Sequence, residues 1–143
     1  MSEAGGGRSL DYESPDGKHV LTLDHAGEVR FGPAYFIARL DGRPIPGRVF
    51  GHSCSWSADS RHVALELWNS TLESHGPDTS LFLVRPGNHT CYDRPRVRRG
   101  FVRGARFEGS SVVYTKDQSR TVGTIEECEL PLTAIQDWSP LFP

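Results

Sequence analysis

The sequence lacks the features that mark membrane-spanning, disulfide-rich and metal-binding proteins. No apolar run approaches the ~20 residues that a membrane-spanning helix needs. The three cysteines, Cys54, Cys91 and Cys128, are odd in number and widely spaced, which fits neither a disulfide framework nor a zinc site. No segment shows the apolar spacing of a long amphipathic helix. We therefore expect strands and turns, without a cofactor or a metal.

The chain also lacks an excess of either charge. Its 143 residues carry a formal net charge of −2, which favours neither nucleic acid nor an anionic membrane as a partner. No charged segment followed by an apolar one marks a secretion signal at the start of the sequence. We expect residues 1–9 to form a disordered leader, residues 10–143 to form a single all-β domain, and the protein to be cytoplasmic.

Glycine (15) and proline (10) are instead frequent, and they punctuate a recurring unit. Residues 14–17 (Ser-Pro-Asp-Gly) predict a turn between two short strands, because Pro presets φ and Gly tolerates a positive φ. Residues 57–60 (Ser-Ala-Asp-Ser) repeat this motif at an offset of 43, and the His-Val pair that follows repeats with it. Residues 105–115 form a third, degraded copy. Such a period indicates repeated supersecondary units.

Residues 14–20 and 56–64 resemble the β-propeller repeat of the TolB and WD-like superfamily. In that family a Trp-Ser-Pro-Asp-Gly-Lys-type turn joins the first two strands of a four-stranded blade. The resemblance implies that Trp56 and Tyr12 are packing residues and that Asp16 and Asp59 are acceptors within the turns. The second copy has no Pro or Gly in its turn, which leaves a different turn type open.

We predict an all-β fold of antiparallel β-meander repeats, arranged as three propeller-blade-like units. A propeller needs about four or more blades, so the units form a partial, open assembly or close by forming a homodimer. The predicted core consists of inward aromatic and branched residues: Val20, Leu23, Tyr35, Ile37, Trp56, Val63, Leu65, Phe82, Val84, Phe107 and Val113.

The loop at residues 68–78 is longer than a tight hairpin needs and combines apolar with acidic side chains. Long loops on a rigid β scaffold often carry binding function. We predict that Trp68, Leu72, Glu73 and Asp78 contact a partner. The carboxylates leave a second interpretation open, which is general acid–base chemistry.

Residues 94–106 form the one dense cluster of charge, with six arginines in 13 residues. Arginines interleaved with aromatic residues bind phosphates and stack on bases, and arginine is also favoured at protein interfaces. We predict that Arg96, Arg98 and Arg99 bind a protein partner. Nucleic acid is the less favoured alternative, because the chain as a whole is not basic.

No stretch carries a catalytic constellation, and we predict neither catalytic nor metal-binding residues. Residues 51–55 (Gly-His-Ser-Cys-Ser) place a serine and a thiol beside a histidine, but neighbouring residues on a strand point to opposite faces. The six histidines are scattered without the spacing of zinc ligands.

These patterns predict a non-enzymatic protein-binding module. In overall character the chain resembles small bacterial immunity proteins, which bind and block a cognate toxin. The rival interpretation is a small nucleic-acid-binding module or a hydrolase that uses residues 94–106 or the acidic loop 68–78.

Overall fold

Strands account for nearly all of the regular structure. The computed structural model describes residues 8–28, 33–72 and 76–143. The strands are β1 (Ser9–Glu13), β2 (Val20–Glu28), β3 (Ala34–Leu40), β4 (Arg43–Pro44), β5 (Val49–Trp56), β6 (Val63–Trp68), β7 (Asp78–Arg85), β8 (Thr90–Tyr92), β9 (Arg96–Arg98), β10 (Phe101–Glu108), β11 (Ser111–Gln118), β12 (Thr124–Pro131) and β13 (Ser139–Pro140). Within the described ranges the helical structure consists of a 3-10 turn at Leu132–Ala134.

The strands form two antiparallel sheets. The larger has the order β1-β2-β3-β5-β6-β7-β8-β13, with β4 paired to β3 and β9 paired to β7, and the smaller has the order β10-β11-β12. The predicted all-β antiparallel class is confirmed, and the described strands do not close into a barrel. Strand β1 starts at Ser9, the last residue of the predicted leader, whereas residues 1–7 lie outside the described part of the chain.

The larger sheet folds over on itself between β3 and β5. A single register pair, Phe36 with Phe50, joins these two strands. Buried residues of β2 and β3, such as Leu23 and Phe36, share one core with Val63 and Phe82 of β6 and β7. The apolar residues of the first three strands are therefore buried against the second half of the same sheet.

Strands β6 and β7 form the central layer, because both of their faces are buried. Alternate residues such as Leu65 and Phe82 face the first core. Their neighbours Ala64 and Leu83 face a second core, which the smaller sheet completes with residues such as Val112. A strand that is buried on both sides reads as a continuous apolar run. This accounts for the sequence of β7, in which Leu81 to Val84 are all apolar.

The two copies of the turn motif have the same hydrogen bonds. Ser14 Oγ donates to Asp16 Oδ1 at 2.6 Å, and Ser57 Oγ donates to Asp59 Oδ1 at 2.7 Å. In each copy the aspartate also accepts the backbone N–H two residues later, at 3.0 Å. Ser60 takes a φ of 65°, close to the 73° of its counterpart Gly17. The different turn type left open for the second copy is therefore not found.

The two turns also contact each other across the fold. The indole N–H of Trp56 donates to Tyr12 O at 2.9 Å, and the backbone N–H of Asp16 donates to Ser60 Oγ at 3.0 Å. The rings of Trp56 and Tyr12 are partly buried and pack against the first core. A serine disfavours a positive φ. The hydrogen bond that the Ser60 hydroxyl accepts from Asp16 offsets part of this cost.

The prediction that Tyr35 and Ile37 form the buried face of β3 is wrong. Ile37 is 43% exposed and Tyr35 is only partly buried, whereas Phe36, Ala38 and Leu40 are buried. Apolar residues occupy both alternating sets of this strand, so its periodicity alone does not decide which face is buried. Among the other predicted core residues, Leu23, Val63, Leu65, Phe82, Val84 and Val113 are buried, and Val20, Trp56 and Phe107 are partly buried.

Candidate functional site

Three loops lie together at one end of the molecule, which we call the loop end. Strands β6 and β9 both end opposite the start of β7. Strand β11 ends opposite the start of β12. The described residues that follow these strands are 69–72 and 76–77, 99–100, and 119–123. The paired turns at 14–19 and 57–62 lie at the opposite end, which we call the turn end.

Hydrogen bonds tie the loops of the loop end to one another. The backbone N–H of Gly100 donates to Pro77 O at 3.0 Å. The side-chain amide of Gln118 donates to Arg98 O at 2.7 Å. A Cβ on Gly100 would lie 2.6 Å from the backbone O of Asp117, so glycine permits this close approach. The loops therefore present their side chains in a defined arrangement.

The structure brings the predicted acidic loop and the arginine-rich segment into direct contact. Arg96 donates from Nε to Asp78 Oδ1 at 2.8 Å and from Nη2 to Oδ2 at 2.6 Å. The amide of Asn69 adds a third donor to Asp78 at 3.1 Å. The guanidinium of Arg96 therefore lowers the pKa of Asp78. This pair holds β9 on β7, and each charge is partly neutralised by the other.

Most of the arginines at 94–106 are bound in the same way. Ion pairs join Arg94 to Asp137, Arg96 to Asp78, Arg103 to Asp117, and Arg106 to both Glu108 and Glu127. Arg98 and Arg99 form no ion pair with any described residue, and the same holds for Arg120 in the neighbouring loop. Within residues 94–106 and the loop at 119–123, these three are the arginines that no described carboxylate pairs with.

Exposed apolar side chains accompany these arginines. Leu72, Val122 and Ile125 are 58%, 56% and 66% exposed, more than any other large apolar side chain among the described residues. They belong to, or directly follow, the loops of the loop end. We call the six side chains the loop-end surface: Leu72, Arg98, Arg99, Arg120, Val122 and Ile125.

A row of aromatic rings lies under one side of the loop end. The ring centroids of Tyr35 and Trp68 are 6.2 Å apart, and those of Trp68 and Phe101 are 6.4 Å apart. The guanidinium of Arg103 lies 4.2 Å from the centre of the Phe101 ring. Beside Tyr35 and Trp68 an open cleft of about 560 Å³ is also lined by Arg48 and Asn69.

Glu66 is a buried carboxyl group directly below this aromatic row. Its Oε1 accepts the indole N–H of Trp68 at 3.2 Å, and Oε2 has no donor among the described groups. Burial raises the pKa of Glu66 to about 7, although the Trp68 hydrogen bond and the nearby charge of Arg103 oppose this. A Cβ at Gly51 would collide with Oε1, so glycine is what allows the carboxyl to pack here.

Three observations describe the groups that metal binding or catalysis would use. No group of three or more His, Cys, Asp or Glu side chains in the described ranges could hold a metal ion. Burial raises the pKa of the Cys54 thiol to about 12, so this thiol stays protonated at neutral pH. The carboxyl of Glu66, with a pKa of about 7, is buried and only 7% exposed.

The structure separates the predicted contact residues into several groups. Leu72, Arg98 and Arg99 lie on the loop-end surface, and Asp78 and Arg96 bind each other. Trp68 is 7% exposed, so that it reaches solvent only at the wall of the cleft. Glu73 lies outside the described residues.

Four residues at this end of the molecule are not among those that the sequence predicted, namely Arg120, Val122, Ile125 and the buried Glu66. The first three belong to the β11–β12 hairpin, which is far in sequence from Asp78. Hydrogen bonds from Gln118 and Thr121 to the backbone of Arg98 and Arg99 join this hairpin to the end of β9, which pairs with the start of β7. The sequence of β6 contained a signal that Glu66 is buried. This acidic residue stands between Leu65 and Leu67 in a strand whose two faces are both buried.

No helix in the described ranges is long and apolar enough to span a bilayer. Comparisons with protein-family models, with curated proteins and with solved structures find no match to this chain.

Proposed function

We propose that the protein is a non-enzymatic, cytoplasmic protein-binding module whose loop-end surface docks on an acidic patch of a partner protein. One observation carries this proposal. Three arginines without an ion partner in the described residues lie at the same end as the three most exposed large apolar side chains. Exposed apolar groups with arginine around them are typical of protein interfaces.

Complementary charge and apolar contact have separate effects in this proposal. Arg98, Arg99 and Arg120 steer the partner and speed association, which makes the rate dependent on salt. Leu72 and Ile125 become desolvated in the complex and supply the apolar part of the affinity. Because hydrogen bonds already join Gly100 to Pro77 and Gln118 to Arg98, little ordering entropy is lost in these segments on binding.

The most specific form of the proposal is an immunity protein that covers the active site of a cognate toxin. Binding would block the toxin by steric and electrostatic complementarity, and this mechanism needs no cofactor. The overall character of the sequence supports this form. A toxin gene immediately next to the gene of this protein would support it independently.

Nucleic acid remains the rival ligand, because the free arginines lie close to the partly exposed Phe101. Internal carboxylates neutralise four of the six arginines at 94–106, which lowers the positive charge available to phosphates. The net charge of −2 likewise disfavours binding to the phosphates of a nucleic acid. These facts favour a protein partner.

The test begins with capture of a partner from the native host, followed by binding measurements with purified components. The double variant Arg98→Glu/Arg99→Glu should weaken binding at least about tenfold, which corresponds to roughly 1.4 kcal/mol. Surface substitutions usually change stability by less than about 0.5 kcal/mol, so the thermal midpoint should stay near that of the parent. The matched control is Arg61→Glu, at an exposed arginine of the turn end.

Equal binding of the double variant and the parent would contradict the proposed surface. Recovery of nucleic acid in place of a protein would favour the rival ligand. Turnover of a substrate by the pure protein would contradict the non-enzymatic class.

A further inference from the structure

Strand β12 forms a long edge of the smaller sheet. It pairs with β11 in one continuous register over all eight residues, from Thr124 to Pro131, without a bulge. Its other side pairs with no strand in the described part of the chain. A regular edge of this length is a template on which a further strand can add.

The register identifies the backbone groups that are free on this edge. Leu132 N donates to Ser110 O at 2.9 Å, one step beyond the pair that ends the β11–β12 ladder. Bonded and non-bonded pairs alternate in an antiparallel ladder, so the even-numbered residues of β12 bond to β11. The odd-numbered residues Ile125, Glu127 and Glu129 therefore point their N–H and C=O groups away from β11.

The side chains along this edge are acidic. Glu126, Glu127 and Glu129 lie within four consecutive residues and are all exposed. Arg106 pairs with Glu127, whereas Glu126 and Glu129 form no ion pair with a described residue. At one end of the strand, Ile125 is 66% exposed and offers an apolar contact.

This charge argues against a second copy of the same chain as the added strand. An antiparallel pair of β12 strands centred on Glu127 places the two copies of Glu127 opposite each other. Centring on Glu126 does the same for that residue, and centring on Cys128 places Glu127 opposite Glu129. Like charges directly opposite each other destabilise a strand pair.

We propose that β12 is a second binding site, which shares Ile125 with the loop-end surface and accepts an extended basic segment of a partner protein as an added strand. The outward N–H and C=O groups of Ile125, Glu127 and Glu129 bond the backbone of this segment. Lys or Arg at alternate positions of the segment face Glu127 and Glu129, and the alkyl part of the next such side chain covers Ile125.

The probe is a short blocked peptide of alternating lysine and valine, with a peptide of alternating glutamate and valine for comparison. Amide hydrogen exchange of the full-length protein is followed residue by residue, and affinity is measured by fluorescence anisotropy. The basic peptide should slow exchange at Ile125, Glu127 and Glu129, whose amides are free beforehand. The acidic peptide should bind at least about tenfold more weakly, since each 1.4 kcal/mol is tenfold.

Proline substitution gives a matched pair of variants. Glu129→Pro removes an outward N–H without removing a bond to β11, and it should weaken the basic peptide about tenfold, as expected for one or two lost hydrogen bonds. The control is Glu13→Pro on the edge strand β1. Ser14 N donates to His19 O, which makes the N–H of Glu13 an outward group by the same alternation. This variant should bind the peptide like the parent.

Several results would overturn this proposal. One is that the basic peptide leaves hydrogen exchange unchanged at all three β12 amides. Another is that the acidic peptide binds as tightly as the basic one. A third is that Glu13→Pro weakens binding of the basic peptide as much as Glu129→Pro does. Dimerisation of the parent through β12 at micromolar concentration would also overturn it. If Glu129→Pro does not fold, Glu129→Lys with the same peptide pair replaces it, and its preference should shift away from the basic peptide.

Discussion

At the scale of single residues, the most unusual group is the carboxyl of Glu66. It is buried, receives a hydrogen bond from Trp68, and leaves Oε2 without a donor among the described groups. A buried carboxylate in such a site loses more hydration than its partners replace, so the protonated form is favoured. Glu66 therefore lowers the stability of the protein at the upper end of the physiological pH range.

The first prediction concerns pH. The pKa of Glu66 rises from its ordinary value of 4.5 to about 7 on folding. Between these values the unfolded chain loses the proton and the folded chain keeps it, so stability falls as pH rises through this window. The stabilising effect of the proton on Glu66 is fully present below pH 4.5 and is lost above pH 7. The free energy of unfolding falls by about 3 kcal/mol across this window, at 1.36 kcal/mol per pKa unit.

Urea unfolding of the parent and of Glu66→Gln at pH 5.5 and pH 8 measures this effect. The variant should gain stability relative to the parent between the two pH values. Glu129→Gln, an exposed substitution on β12, is the control and should follow the parent. A constant difference between Glu66→Gln and the parent across this range would show that Glu66 is not protonated in the folded protein.

At the scale of elements, the two Ser-x-Asp turns are the most regular local structures. In each turn a buried serine, Ser14 or Ser57, donates to the aspartate two residues later. The same serine oxygen accepts the backbone N–H of His19 or His62. Such a turn satisfies its own backbone groups locally and fixes the register of the hairpin that it closes.

The second prediction follows from the equivalence of the two turns. Ser14→Ala and Ser57→Ala should each destabilise the protein by about 1–2 kcal/mol, because each leaves the backbone N–H of His19 or His62 without a partner and removes one of the donors to the aspartate. Denaturant titration measures the change, with Ser139→Ala on the exposed strand β13 as the control. If only one of the two variants loses stability, the turns are not energetically equivalent.

The turns also show what the sequence could predict about the elements. Local motifs were predicted well, because Ser, Asp and Gly determine turn geometry within a few residues. The buried face of β3 was predicted wrongly, because Tyr35 and Ile37 are as apolar as Phe36 and Leu40. Arg39 lies on the same face as Ile37, and its charge was the signal that this face is exposed.

The candidate site was only partly predictable for a similar reason. Leu72, Arg98 and Arg99 were identified from local composition. Arg120, Val122 and Ile125 join them through strand pairing between segments that are distant in sequence, and composition carries no signal of that pairing. The neutralisation of Arg96 by Asp78 depends on the same long-range contact between β7 and β9.

At the scale of the whole molecule, the layers form a stack with polar outer surfaces. On the outer side of β1–β3, Arg39 pairs with Asp24 at 2.7 Å, and Thr22 donates to Asp11 at 2.8 Å. On the smaller sheet, Arg106 pairs with Glu127 at 2.8 Å. Surfaces that carry such pairs do not need a further sheet to cover them. The proposed binding sites are therefore placed at the loop end and along the β12 edge, not on these outer faces.

The central claim is that the protein binds its partner through the loop end, and a hydrogen-exchange footprint of the complex tests it most directly. The account predicts slowed exchange in segments 69–72, 98–101 and 119–125, with unchanged exchange in the turns at 14–19 and 57–62. Slowed exchange confined to those two turns, with none at the loop end, would contradict the claim.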